Sequence, residues 1–299
     1  MTAGGLPAAV VLVKTCGWLQ ALFFVREANR QVHKLCKSSD VTSSFLGSPD
    51  VLLAYRLLML AWGLYIGIGQ LRDKGPYVFV FYTVWNWWML TLFFALASAA
   101  SIRGWRRRRA ARRGRPTDTE QQHAADWLDR AAIATFTIEA PLTLAIDFLT
   151  WTLLVPMLMS SSQDPARIQF WRQRLYCFES YNQHAFNAVM MLGELLLNRI
   201  PVTFYSSGWL ALWSSVYGVW SGVFYARNGR FIYPFLDAHK PYAWASYLGL
   251  YAVHWVAFLL VMGAASAKRR LLARDVQVAP EPAPAVAAQP AAAEPKKRR

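Results

Sequence analysis

Cysteine is scarce in this chain and scattered. Cys16, Cys36 and Cys177 show no paired spacing, which supports neither a zinc site nor a disulfide framework. Acidic residues are also few, 17 against 32 basic ones, for a formal charge of +15. The excess does not make a nucleic-acid binder. The basic residues are massed at Arg103, Arg106 to Arg109, Arg112, Arg113 and Arg115, and again from Lys268 onward, where they flank apolar runs instead of covering a face. No internal repeat is evident, so nothing points to an inverted-repeat transporter. Nor does the start of the chain read as a signal peptide, since no basic residue precedes its apolar part and no small-residue cleavage site follows.

What is abundant is apolar surface. Hydrophobic residues make up 55% of the chain and aromatics 15%, with a mean hydropathy of +0.21, more than a water-facing domain can carry. A spanning helix needs roughly 20 mostly apolar residues to cross about 30 Å of hydrocarbon. Six windows meet that length, at 51–71, 77–102, 131–159, 175–198, 203–226 and 242–267. The expected fold is therefore all-α and polytopic, a bundle of six transmembrane helices over residues 51–267. A cytoplasmic or interfacial segment over 1–50 precedes it, and residues 268–299 form a disordered Pro/Ala-rich basic tail. The apolar run at 6–25 is broken by Lys14 and Gln20 and reads as a re-entrant or interfacial helix.

Lysine and arginine concentrate on the side that would hold both termini, which makes that side cytoplasmic. The basic loop at 103–129 is expected to lie along anionic headgroups. The chain ends in KKRR, with Lys296 and Lys297 placed as in a dilysine retrieval signal. The implied location is the endoplasmic reticulum or the plasma membrane.

Ionisable groups within the apolar windows each need a partner or a task. Arg56, Glu139 and Glu194 fall in the cytoplasmic half and read as a structural ion-pair cluster. Asp147 and His254 lie near mid-depth without a spacing that selects a role. A pair such as His184 and His254 can in principle ligate haem iron or a metal, but no further ligands accompany them, and no cofactor or metal is expected. Thr83 lies about 9 Å and His184 about 10–14 Å from the opposite face, counting 1.5 Å per helical residue. Each is followed three residues on by an asparagine, Asn86 and Asn187. Two facing helices would thus offer a hydroxyl, a basic imidazole and two amides to one cavity, a set suited to attack an ester and steady its oxyanion.

At these residues the chain resembles the androgen-induced and rolling-stone membrane proteins. The likeness is carried by FYTVWN at 81–86, DFLTWTLLVP at 147–156, YNQHAFNAVMMLGELLL at 181–197 and GRFIYPFLD at 229–237. The resemblance implies a six-helix membrane bundle. In the androgen-induced branch it implies a threonine hydrolase of fatty acid esters of hydroxy fatty acids, with the nucleophile on Thr83 and its partner on His184. By their spacing Asn86 or Asn187 would donate to the oxyanion, and Trp85, Trp87, Trp88 and Phe93 would partly line an acyl tunnel, with anchoring of the helix at the interface the alternative role, above all for Trp87 and Trp88. The partners are then membrane lipids and a lipid ester substrate. The rolling-stone branch implies the alternative, a non-catalytic membrane protein in adhesion, fusion or trafficking.

Overall fold

The structure is a computed structural model and describes residues 7–114 and 124–278, with side chains to residue 271. It is helical throughout, and no strand occurs among the described residues. The main rods are α1 (Ala8–Leu35), α3 (Pro49–Lys74), α4 (Tyr82–Arg112), α5 (Trp127–Leu149), α9 (Asn187–Leu197), α10 (Ser207–Asn228) and α11 (Ala243–Val278). Short elements link them: α2 (Ser38–Thr42), α6 (Val155–Met159), α7 (Pro165–Leu175) and α8 (Phe178–Tyr181).

Among the described residues five helices are long and apolar enough to cross a membrane: Ala8–Leu35, Pro49–Lys74, Tyr82–Arg112, Trp127–Met159 and Ala243–Leu271. Large apolar side chains stand exposed along them, Leu57, Leu58, Tyr65 and Ile68 on α3 and Val256, Leu259 and Leu260 on α11. Such belts suit lipid and would be a liability in water. The arrangement is that of a multi-pass integral membrane protein.

Four boundaries differ from the sequence reading. The apolar run at 6–25 does not stop at its polar interruptions; it becomes a 28-residue helix, with Lys14 and Gln20 turned toward the protein. The second span does not begin at residue 77, because Gly75 ends α3 at φ +69° and Pro76 starts a separate 3-10 turn. The basic stretch at 103–129 opens not as a loop but as the last turns of α4, through Arg112. Alanine and arginine favour helix, and cations suit a helix C-terminus. α11 likewise runs past Ala267 to Val278. The Pro/Ala tail from residue 279, Lys296 and Lys297, and residues 115–123 lie outside the described residues.

Between lipid-facing surfaces the rods meet through small residues. A Cβ at Gly63 would stand 2.7 Å from Thr91 Oγ1, so the glycine lets α3 and α4 touch. Gly208 does the same for α10 against α1, where a Cβ would come within 2.5 Å of the Val25 backbone nitrogen. α1 thereby runs antiparallel to α10: Phe24 meets Tyr205 near the start of α10, while Val10 packs with Ala238 and Ala243 at the start of α11. A core of Phe93, Phe94, Phe136, Leu142, Met190 and Phe258 ties α4, α5, α9 and α11 together.

Candidate active site

The bundle has two polar regions, one near each end. At one end Arg56, fully buried, forms a forked pair with Glu194: Nε lies 3.1 Å from both carboxylate oxygens and Nη2 2.5 Å from Oε1. Its Nη1 donates to Val41 O at 2.7 Å and Ser101 Oγ at 2.6 Å. Asn198 Nδ2 reaches Glu194 Oε1 at 3.1 Å, and Lys268 Nζ donates to the Leu195 and Asn198 carbonyls. Glu139 is not part of this group. With the Asn86 amide turned to present its nitrogen, it donates to Glu139 Oε2 at 2.7 Å and Oε1 at 3.1 Å. Equal depth had suggested a triad, but α5 begins at Trp127 and not at 131, and Asn86 stands fifteen residues along α4 from Ser101, about 22 Å at 1.5 Å per residue, so Glu139 lies at a different depth from Arg56.

Nearer the other end, two helices each contain one π turn, at Thr150–Leu154 and Asn182–Phe186. Widened turns free backbone groups from the helical ladder and recur at functional sites. Here the two turns face one another. Thr150 Oγ1 lies 3.1 Å from His184 Nδ1, and Trp151 Nε1 donates to the freed His184 carbonyl at 2.5 Å. The residues beside His184 are pinned in the same way. Asn182 Oδ1 accepts from Trp62 Nε1 at 2.8 Å, Gln183 Nε2 donates to Gln70 Oε1 at 2.9 Å, and Asn187 Nδ2 donates to Asp147 Oδ1 at 2.9 Å. The π-turn segment is thus clamped between α3 and α5, with His184 buried. Asp147 orients Asn187 and not a histidine.

Thr83 is the second residue of α4, at the mouth of the helix and not a turn or more inside it. Tyr82 N donates to Tyr233 Oη at 3.1 Å, Tyr217 Oη donates to Val80 O at 2.9 Å, and the Tyr82 and Tyr217 rings stack with centroids 4.4 Å apart. Thr83 faces a cavity of about 380 Å³ enclosed by α1, α4, α5, α10 and α11. Thr150 lines the same cavity, and His184 is absent from its wall. No hydrogen bond joins Thr83 to His184 among the described residues. Thr150 is what the two share: it stands on the cavity surface and holds the histidine. The first amides of α4 are already engaged, Tyr82 N on Tyr233 Oη and Val84 N and Trp85 N on Phe81 O.

The asparagines do not serve the threonine. Asn86 is engaged by Glu139 and Asn187 by Asp147. The aromatic wall is elsewhere too, for none of Trp85, Trp87, Trp88 and Phe93 lines the cavity. Trp87 is buried in the core with its indole N–H on Gly63 O at 3.0 Å. The cavity wall comes instead from Trp18, Tyr217, Tyr233, Tyr251 and Trp255, together with His254. His254 Nδ1 lies 2.7 Å from Leu250 O, and its Nε2 is buried without a partner. Among the described residues no group of three or more His, Cys, Asp or Glu is placed to hold a metal ion.

Two residues of this site were within reach of sequence reasoning but unmarked. Thr150 and Trp151 belong to DFLTWTLLVP, yet threonines in apolar helices ordinarily bond to their own backbone, as Thr135 and Thr143 do. No residue pattern announces a π turn.

Outside the apolar spans, Arg103 pairs with both Asp126 and Asp129 where α4 meets α5. Burial raises the Asp126 pKa, but the Asp129 and Leu128 backbone amides and the Arg103 guanidinium outweigh it and hold the carboxyl below its ordinary range. Cys36, just past α1, is pushed up to about 12 by burial and by neighbouring Asp40, so its thiol is not an activated nucleophile.

Among the protein-family models, curated proteins and solved structures compared with this chain, none matches it.

Proposed function

We propose that the protein is an integral-membrane lipid ester hydrolase with Thr83 as nucleophile and His184 as base, the base acting through Thr150. One observation carries the reading: a threonine hydroxyl at a helix N-terminus opens on a largely apolar cavity, and a second hydroxyl on the same wall is bonded to a buried imidazole. The cavity volume falls within the range of about 300–1,000 Å³ common to small-molecule sites.

In this mechanism the Thr83 oxygen attacks the ester carbonyl carbon. Its proton passes to Thr150 Oγ1 as the Thr150 proton moves to His184 Nδ1. The oxyanion is met by the Tyr233 hydroxyl, which accepts from Tyr82 N and keeps its own proton to donate, and so takes the role first expected of Asn86 and Asn187. Collapse expels the alcohol half, which regains the proton from His184 by the same path. Water then cleaves the acyl-threonine. The family resemblance adds the substrate class, fatty acid esters of hydroxy fatty acids.

The finer topology belongs to the same reading. Six crossings are α3, α4, α5 continued through α6, α8 continued through α9, α10, and α11; α1, long enough to cross as well, lies antiparallel against α10 as a seventh. The Arg56 end faces the cytosol of an endoplasmic reticulum or plasma membrane, its basic residues against anionic headgroups.

Labelling of the purified protein by a fluorophosphonate that marks activated hydroxyls is the test. Wild type is expected to label, and Thr83→Ala to lose labelling entirely. His184→Gln and Thr150→Val should lower it by about 10²–10⁴-fold with thermal stability retained. Full labelling in His184→Gln with loss in His254→Gln would transfer the base to the imidazole that faces the cavity. A second reading, a non-catalytic membrane protein in adhesion, fusion or trafficking, is favoured by the absence of a Thr83–His184 bond among the described residues. It predicts no labelling and no turnover of lipid esters by well-folded wild type.

A further inference from the structure

The polar group on the cavity wall that no step above uses is Lys14. It lies one to two turns inside α1, in the apolar stretch AAVVLVKTCGWL, and with Gly17 and Trp18 it forms the stripe of that helix facing the cavity. A lysine this close to a helix end ordinarily extends its stem and places the ammonium in the headgroup water. Lys14 does not. Its ammonium lies over the Tyr247 ring, 4.6 Å from the centroid, at the cavity wall.

A ring face satisfies part of a cation's field but none of its three N–H donors as a carboxylate would. Among the described residues Lys14 has neither an acidic partner nor a hydrogen-bond acceptor, and no acidic residue lines the cavity. Lys268, which is buried where Lys14 is half-buried, shows what saturation looks like: it donates to two carbonyls and to Asn198 Oδ1. Lys14 is therefore a cation held toward an apolar cavity with its donors free.

The walls beside it are cut back. Gly17 on α1 and Gly218 and Gly222 on α10 all line the cavity, and a Cβ added at any of them would meet no atom within 4 Å. The space next to the ammonium is thus open as well as apolar, with room for a chain.

We propose that this cavity binds a single-chain amphiphile bearing an anionic head, a carboxylate or a phosphate, with Lys14 as its counter-ion and the tail among the aromatic side chains of α10 and α11. The inference concerns binding and stands whether or not an ester is cut. If the hydrolase reading holds, Lys14 fixes which end of the substrate carries the acid.

The full chain in phosphatidylcholine nanodiscs, carrying Thr83→Ala so that no turnover intervenes, is titrated with a fluorescent fatty acid. It is competed with oleate, oleyl alcohol, lysophosphatidate and lysophosphatidylcholine. Oleate or lysophosphatidate is expected to compete at least about tenfold better than its uncharged or zwitterionic counterpart. The better of the two names the head as carboxylate or phosphate. Lys14→Gln should remove that preference and leave oleyl alcohol unchanged, while Lys14→Arg should keep it. Gly218→Leu, which fills the cavity, should weaken acid and alcohol alike. Equal competition by acid and alcohol, an unchanged preference in Lys14→Gln, or unaltered binding in Gly218→Leu would each overturn the assignment. Loss of labelling chemistry with this binding intact would sink only the hydrolase reading.

Discussion

The two polar regions of the bundle handle the same problem in opposite ways. Near the Arg56 end, every charge has its complement: guanidinium on carboxylate, carboxylate on amide, ammonium on carbonyls. Near the cavity the polar atoms are left over. Among the described residues His254 Nε2 and Asn187 Oδ1 are buried without partners and Lys14 has no acid, and two helices open into π turns. Taking a polar group out of water costs as much at either end, so the difference lies in what compensates for it. A closed network compensates itself and contributes rigidity. An open one leaves capacity that a substrate or ligand can meet, at some expense in stability.

The contrast breaks most directly at Arg56. Arg56→Met strands the Glu194 carboxylate in the core, and removal of one partner of a buried pair typically destabilises by about 3–5 kcal/mol. Thermal unfolding in detergent should show that drop. The double variant Arg56→Met/Glu194→Leu should recover most of it, because two apolar side chains of similar volume pack where two charges stood. If the single variant melts within a degree of wild type, the network is not the clamp described.

The clamp around His184 is the intermediate case. Asn187→Leu removes the one donor that reaches Asp147 and leaves that carboxyl unsatisfied, a loss of about 1–3 kcal/mol. Because the segment also carries the proposed base, its fluorophosphonate labelling should fall further than its stability does. Proportional loss of both would place Asn187 with the Arg56 network, as scaffolding only.

Much of this was legible in the chain. Helix lengths follow from apolar windows, and the Arg56–Glu194 pair follows from the cost of charge in an apolar helix, which leaves few partners to choose from. What could not be read is where each helix starts and which way it faces. Depth along a helix comes from counting residues, but the side of the bundle a residue faces depends on how the rods pack. Glu139 went to Asn86 and not to Arg56 because α5 begins four residues before its apolar window, which shifts Glu139 toward the cavity end, and Asn86 was thereby lost to Thr83. Lys14 misled for a related reason. A charge in an apolar run reads as an interruption until a neighbouring helix supplies a cavity for it to face. The bond between Thr150 and His184 joins two π turns, which no residue pattern announces.

The smallest expected effect tests whether the contrast is about burial at all. Arg103 and Asp126 form the same kind of ion pair as Arg56 and Glu194, but the Asp126 side chain is 43% exposed where α5 begins, so solvent screens the attraction. Asp126 also caps α5, accepting from the Leu128 and Asp129 backbone amides at 3.0 and 3.1 Å. Asp126→Ala should cost about 1 kcal/mol, mostly through the cap, while Asp126→Asn keeps a capping oxygen and should be nearly silent at neutral pH. The sign of the pH dependence separates charge from cap. A carboxyl held below its ordinary range contributes stability above its unfolded pKa, near 3.9, and loses it as pH falls through the lower folded value. Wild type should therefore lose its small advantage over Asp126→Asn on acidification, so that the two melting curves converge. Convergence from a large initial gap would mean that an exposed pair here does as much as the buried one, and that saturation, not burial, separates the two ends.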